Sequence, residues 1–337
     1  MINYFLIHTF PLFVLAFVMS AVLTGIVLIV LRRRAIFDLP NARSSHRIPT
    51  PRGGGWGLML ALAPLWVWSV WRAGLILDPT EIALMAGAII LMGVSWIDDR
   101  HGLGAGIRFV AQFVAVGAVL ATLPRDLSLS DGFLPLPIDR IVAILAWMWF
   151  VNLFNFMDGI DGITGGTAAA MGLGLMLVWL RHGPDQLEAF RGAVIAAVAL
   201  GFLCWNWQPA KIFLGDVGSI PLGYLLGYEL VRLAMDAGQV FALIIALYYL
   251  ADATITLLKR ARRGERVWQA HREHYYQRST QSGRSHGHTA GIAVLCEFGL
   301  ALLAWLATLI GWWLLIPAVA LVLFLLRWMS RPPGSAV

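Results

Sequence analysis

Apolar runs of roughly 20 residues recur from one end of this chain to the other, and that is the length an α-helix needs to cross the hydrocarbon core of a bilayer. A chain built this way must satisfy its backbone polar groups internally, so its fold class is all-α and its architecture a polytopic membrane bundle. The composition agrees: hydrophobic residues make up 59% and charged residues only 13%, about half the usual charged share. A water-soluble domain, a disordered chain and a nucleic-acid-binding module are thereby excluded. The lipid bilayer is a partner and nucleic acid is not.

Window reading places about eleven spans, near residues 9–31, 56–72, 81–97, 105–122, 139–156, 163–181, 188–205, 217–235, 239–258, 289–309 and 311–328, in a single membrane domain over residues 1–337. The last two form one run too long for a single crossing and require a reversal near Gly311. No cleavage site follows the first run, which reads as a true span. Cys204 and Cys296 both lie in apolar segments, so there is no disulfide framework and no cysteine metal motif.

Orientation follows from the basic residues, which accumulate in cytoplasmic loops. With the N-terminus outside, one face carries only Arg72, Arg125, Arg140, Arg181, Arg191 and Arg232, and the other holds the remaining nineteen of the 25 Lys and Arg. The bias sets the N-terminus outside and, with eleven spans, the C-terminus in the cytoplasm.

The unusual polar motifs all fall in the loops on that cytoplasmic side. The first contains Ser45-His46, then Pro49-Thr50-Pro51-Arg52-Gly53-Gly54-Gly55; its prolines fix the backbone and its glycines admit close approach to a ligand. The third span ends in Asp98-Asp99-Arg100, two carboxylates at the membrane surface that repel each other unless a cation is close. Next come Asn152, Asn155, Asp158 and Asp161, every third residue, which on a helix form one slowly drifting stripe. Amides and carboxylates so arranged cap a helix poorly but suit a hydrated cation and a polar ligand, because magnesium takes one or two carboxylates and is otherwise held by substrate phosphates. Phe213-Leu214-Gly215-Asp216-Val217-Gly218-Ser219 opens a helix with backbone N–H groups, a carboxylate and a hydroxyl, the equipment for phosphate and metal, and Phe213 can stack on a flat base. The long basic loop over residues 259–288 carries His271, Arg272 and His274, and the stretch from Arg266 to Tyr276 reads as an interfacial helix with both histidines on one face. No cysteine joins these histidines, so phosphate or sugar contact is preferred to zinc. The plainer reading of these basic residues is topology and attraction to anionic lipid, and of Phe213 an interfacial aromatic.

Taken in order, Ser-His-x-x-Pro-Thr-Pro-Arg-Gly-Gly-Gly, Asp-Asp, Asn-x-x-Asn-x-x-Asp-Gly-x-Asp-Gly, Phe-x-Gly-Asp-x-Gly-Ser and the His/Arg loop resemble the polyprenyl-phosphate N-acetylhexosamine-1-phosphate transferases over nearly the whole chain. The resemblance implies transfer of a sugar phosphate from a UDP-N-acetylhexosamine to a polyprenyl phosphate at the cytoplasmic face, with release of UMP and with magnesium, or manganese in its place, as cofactor. It implies Asp216 as the metal ligand, Asp98 and Asp99 as the acidic pair beside the lipid phosphate, Asn155, Asp158 and Asp161 as nucleotide and diphosphate contacts, Phe213 as the uracil stack and Gly215 close by. Asn152, His46, Arg52, His271, Arg272 and His274 complete the expected substrate-binding set. Arg52 before three glycines, and His271-Arg272-Glu273-His274 where the MraY branch ends His-His, are similar to the WecA-like branch, which points away from a muramoyl-pentapeptide donor and toward O-antigen or a related envelope glycan. A homodimer enters only by analogy.

The rival class is a secondary transporter, whose ionisable residues belong near the bilayer midplane. Glu229 and Asp252 do lie inside apolar runs, where local pairing is the plainer account. A scaffold that has lost catalysis is a second rival, opposed by the presence of every acidic motif.

Overall fold

The structure is a computed structural model that describes residues 2–40, 45, 48–76, 78–182, 187–267, 269 and 271–333. Eleven long helices fall where the apolar runs do. They are α1 (Ile2–Arg33), α2 (Gly55–Arg72), α3 (Pro79–His101), α4 (Ala105–Thr122), α5 (Leu136–Phe156), α6 (Ile163–His182), α7 (Leu187–Asn206), α8 (Asp216–Asp236), α9 (Gln239–Arg262), α11 (His286–Ile310) and α12 (Leu315–Met329), with the short α10 (Tyr275–Gln281) between α9 and α11. Nine are long and apolar enough to cross a membrane among the described residues, two fewer than the expected eleven; of the other two, α8 is buried along nearly all its length, whereas α2 keeps Leu60, Val67 and Trp71 exposed. The expected reversal is present: Gly311 ends α11 at φ +111°, and a 3-10 turn, Trp312–Leu314, leads into α12.

Local sequence explains the helix starts. Asp78 caps α3, accepting the N–H groups of Thr80 (2.8 Å) and Glu81 (3.2 Å), with Pro79 in the first turn where its missing N–H costs nothing. Helices α6, α7 and α8 are buried along most of their length and form the centre, around which the others are more open. The outward side chains are apolar, as with Ile89 at 66% and Leu295 at 67% exposure, a surface that water would not tolerate on a monomer but hydrocarbon does. The only strands among the described residues, β1 (Phe37–Asp38) and β2 (Thr50–Pro51), pair antiparallel and bring Asp38 toward the segment that carries Arg52.

At the opposite end of the bundle from the acidic motifs, Arg191 of α7 lies between Glu81 of α3 (2.7 Å) and Glu229 of α8 (3.7 Å), with the ring of Trp66 4.6 Å from its guanidinium. All three charged side chains are buried. Glu229 therefore has the local partner that its position in an apolar run required.

Removing one member of such a cluster leaves uncompensated buried charge, which costs about 3–5 kcal/mol. Arg191→Leu is expected to lower the thermal unfolding midpoint in detergent far more than Arg232→Leu, whose partner Asp236 lies on its own helix and is partly exposed. Equal midpoints for the two variants would contradict this account of the cluster.

Candidate active site

The site begins as backbone. Phe213 donates its N–H to Pro51 O (2.8 Å), and its own carbonyl accepts the N–H groups of Gly53 (3.1 Å) and Gly54 (2.8 Å); Gly55 N–H then bonds Leu214 O (2.9 Å). The Pro/Gly loop and the loop before α8 are thus joined as a short parallel ladder with Arg52 opposite Phe213. Two glycines permit it. A Cβ on Gly55 would fall well inside van der Waals contact with Gly218, and one on Gly215, at φ +74°, would sit 2.9 Å from an Asp99 oxygen.

Asp99 and Asp216 come together over this ladder. The Asp99 carboxylate caps α8 from another helix, accepting the N–H groups of Asp216 (3.2 Å) and Val217 (3.1 Å) at the positive end of the helix dipole. One Arg52 nitrogen lies 2.8 Å from Asp99 Oδ1 and 2.8 Å from Asp216 Oδ1. Burial opposes the Arg52 charge, but Asp99, Asp216 and Asp38 outweigh it and hold the guanidinium protonated more firmly than usual.

Asp98 points elsewhere. Neighbours on a helix diverge by about 100°, and Asp98 pairs with Arg108 of α4 (3.0 Å) while accepting the Leu103 N–H. The expected acidic pair is therefore two separate carboxylates, one toward α8 and one toward α4.

The expected helical stripe is also corrected. Helix α5 ends at Phe156, so only Asn152 and Asn155 are helical; Asp158 and Asp161 stand in the turn before α6, which Gly162 completes at φ +79°. Asn152 bonds Gln112 of α4 (2.7 Å), and Asn155 accepts the Ser219 hydroxyl of α8 (2.6 Å). Asp158 is half-buried beside the pair; burial pushes its carboxyl up to about 6, with the Asp216 charge adding and the Thr164 hydroxyl and Arg52 opposing. Asp161 accepts the Ala210 N–H (3.1 Å) and lies 3.2 Å from His286, so it ties three segments together.

In the long loop the helix forms later than the sequence suggested. α10 starts at Tyr275, because buried Asp252 of α9 accepts the N–H groups of Tyr275 (2.8 Å) and Tyr276 (3.2 Å) and so fixes where the first turn begins. His271 and His274 precede it and stack on each other with centroids 4.7 Å apart, and His274 also packs on Tyr276 and Phe156. Burial, the neighbouring His274 and Arg260 push His271 down to about 4, so it is neutral at pH 7 and supplies hydrogen bonding rather than charge. His274 is 2% exposed. Arg272 is half-buried beside them, its carbonyl bonded by Gln281 (2.7 Å). Tyr276 donates to Phe156 O (2.8 Å) and leans on Gly159, which docks the loop against the Asp158 turn. His46 lies outside the described residues.

Sequence reasoning passed over Asn206, which accepts the Gly162 N–H (3.1 Å) and donates to Ile212 O (2.9 Å), joining the Asp161 turn to the Asp216 loop. An amide at the end of an apolar run was the available signal.

The donor set fits magnesium. Asp99, Asp216 and Asp158 offer hard oxygens, and a single positive centre already stands between two of them. Among the described residues no three His, Cys, Asp or Glu groups converge as a ready metal cage, so the protein would contribute one or two carboxylates and phosphate oxygens the rest.

Two outcomes follow from this geometry. Gly215→Ala is expected to lower turnover about 100-fold by displacing Asp99 from α8, since misplacements near 1 Å cost that much, with unfolding midpoint nearly unchanged. Asp252→Asn is expected to make residues 263–285 markedly more sensitive to limited proteolysis while the bundle stays intact.

Residues 82–234 match the family described as glycosyl transferase family 4. The chain is 27% identical over 303 residues to a probable undecaprenyl-phosphate N-acetylglucosaminyl 1-phosphate transferase of Bacillus subtilis, covering 85% of this chain and 82% of that one. It is 30% identical over 301 residues to decaprenyl-phosphate N-acetylglucosaminephosphotransferase of Mycobacterium tuberculosis, covering 78% and 73%. A phospho-N-acetylmuramoyl-pentapeptide-transferase of Rippkaea orientalis is 28% identical over 327 residues, covering 88% and 86%. With its spans, its converging acidic loops and these relatives, the chain belongs to glycosyl transferase family 4, a family of membrane-embedded phosphosugar transferases.

Proposed function

We propose that this protein moves N-acetylhexosamine-1-phosphate from a UDP-sugar to a polyprenyl phosphate, forming the polyprenyl-diphosphate-sugar and UMP, and so initiates O-antigen or another envelope glycan. The observation that carries this is the meeting of Asp99, Asp216 and Arg52, with Asp158 beside them, at the one end of the bundle where the motif loops converge. That end carries nineteen of the 25 Lys and Arg by the sequence topology, which supports a cytoplasmic face of a bacterial inner membrane. The names of the relatives support a polyprenyl phosphate acceptor. The Arg52-Gly-Gly-Gly segment and the His271-to-His274 pattern favour an N-acetylhexosamine over a muramoyl-pentapeptide donor.

Two anions must meet in this reaction, so catalysis is mainly positioning and charge neutralisation. A polyprenyl phosphate with a second pKa near 6 is mostly dianionic at pH 7 and needs no strong base. Its oxygen attacks the β-phosphorus in line; the bond from that phosphorus to the bridging oxygen breaks, and UMP leaves with the oxygen. Asp216, with Asp99 beside it, would hold magnesium, which when bound offsets the diphosphate charge. Arg52 neutralises the remaining phosphate charge, Asn155 and Asp158 orient the nucleotide, Phe213 stacks on uracil, and the neutral His271 donates a hydrogen bond. Asp98, clamped by Arg108, places the acceptor.

Purified protein given polyprenyl phosphate, magnesium and a panel of UDP-N-acetylhexosamines is expected to release UMP, with Asp216→Asn slower by about a thousandfold or more. UMP release only from the UDP-muramoyl-pentapeptide donor would replace the donor assignment, and none from any donor would overturn the transferase reading. Isotope exchange between UMP and the UDP-sugar without lipid is expected to be absent; its presence would establish a two-step route through an aspartyl phosphate.

A further inference from the structure

We propose that Arg52 is the built-in counter-cation of the site: without nucleotide it stands where the divalent cation binds, and it moves to the diphosphate as the cation enters. Metal and nucleotide then bind cooperatively rather than in independent steps. The proposal rests on the metal-dependent transferase reading and adds a role for one residue within it.

The geometry of the three groups carries the argument. A single Arg52 nitrogen is 2.8 Å from an oxygen of Asp99 and equally 2.8 Å from one of Asp216, the position from which any cation would be shared by both. Exposure is graded: the Asp99 side chain is 5% exposed and Asp216 18%, but Arg52 is 35% exposed and reaches in from the open side. The Arg52 backbone is held on the Phe213 ladder, which leaves the side chain as the part able to move. The Asp99 carboxylate is fixed by two N–H groups of α8, and Asp216 stands as the first residue of that helix with its carboxylate bonded to Arg52.

A guanidinium fork pairs equally well with carboxylate and with phosphate, so Arg52 has two partners of one chemistry. A divalent cation arriving alone would have to expel it and leave two cations side by side over a partly buried surface, which like-charge repulsion disfavours. A diphosphate arriving with the metal accepts the displaced guanidinium. The two ligands thereby strengthen each other, and linkage makes the effect the same in both directions. A strut that merely holds the Pro/Gly loop against α8 would behave oppositely, since removing it would loosen the carboxylates and weaken metal binding under every condition.

The test is Mn2+ binding to the purified full-length protein in detergent, followed by the electron paramagnetic resonance signal of free Mn2+, with and without UDP-N-acetylglucosamine and without lipid acceptor. For the unaltered protein the nucleotide is expected to tighten Mn2+ tenfold or more. Arg52→Gln is expected to bind Mn2+ alone about tenfold more tightly than the unaltered protein, with nucleotide coupling reduced below threefold. Arg52→Lys, a shorter point charge without the fork, is expected to fall between them and keeps the test valid if the Gln variant does not fold. Equal or weaker Mn2+ binding in folded variants without nucleotide overturns the Arg52 role alone. Absence of saturable Mn2+ binding to the unaltered protein with nucleotide overturns the metal-dependent reading and this proposal together.

Discussion

The backbone ladder between the Pro/Gly loop and the segment before α8 is the contact on which the rest of the site depends. Residues more than 150 positions apart in the chain are held in register by main-chain bonds from Phe213 and Leu214 to Pro51, Gly53, Gly54 and Gly55. Main-chain bonds of this kind leave side chains free for other work. The close crossing at Gly55 and Gly218 lets the two helix starts approach, and Arg52 and Asp216 face each other as a result.

Buried charge in this protein is spent on helix ends. Asp99 of α3 caps α8, and Asp252 of α9 caps α10, each by taking two N–H groups that the capped helix cannot satisfy itself. The first cap leaves Asp99 beside Asp216; the second fixes the His271-to-His274 segment and, through Tyr276, rests it on the Asp158 turn. At the far end Arg191 joins α3 and α8 through Glu81 and Glu229. The two helices that bring Asp99 and Asp216 together are thus tied at both ends.

This pattern separates the molecule from a secondary transporter. The carboxylates that raised that possibility, Glu229 and Asp252, have partners on neighbouring helices. Glu297 of α11 is buried without a hydrogen-bond partner among the described residues, as is Glu229, which has the Arg191 charge 3.7 Å away. Asp99, Asp216 and Arg52 instead meet at one bundle end.

How much was legible in advance follows from the range of each interaction. The positions of the eleven long helices were written in the apolar runs, because hydrocarbon enforces length and apolarity residue by residue, although nine of them rather than eleven are long and apolar enough to cross among the described residues. The reversal at Gly311, the candidate residues and the family resemblance were likewise readable as local patterns. The period of three in Asn152, Asn155, Asp158 and Asp161 misled, since the turn at Gly159 and Gly162 breaks the helix that the period assumes. Adjacent Asp98 and Asp99 looked like one pair, and their separation is decided by which neighbouring helix each meets. The start of α10 depends on a carboxylate more than twenty residues earlier. The sequence by itself determined a polytopic helical bundle, because span length and apolarity are properties of single segments against a uniform solvent. Only the tertiary structure decided which carboxylates share Arg52 and which acids cap helices, because each of those is a contact of a few ångströms between segments that no local pattern encodes.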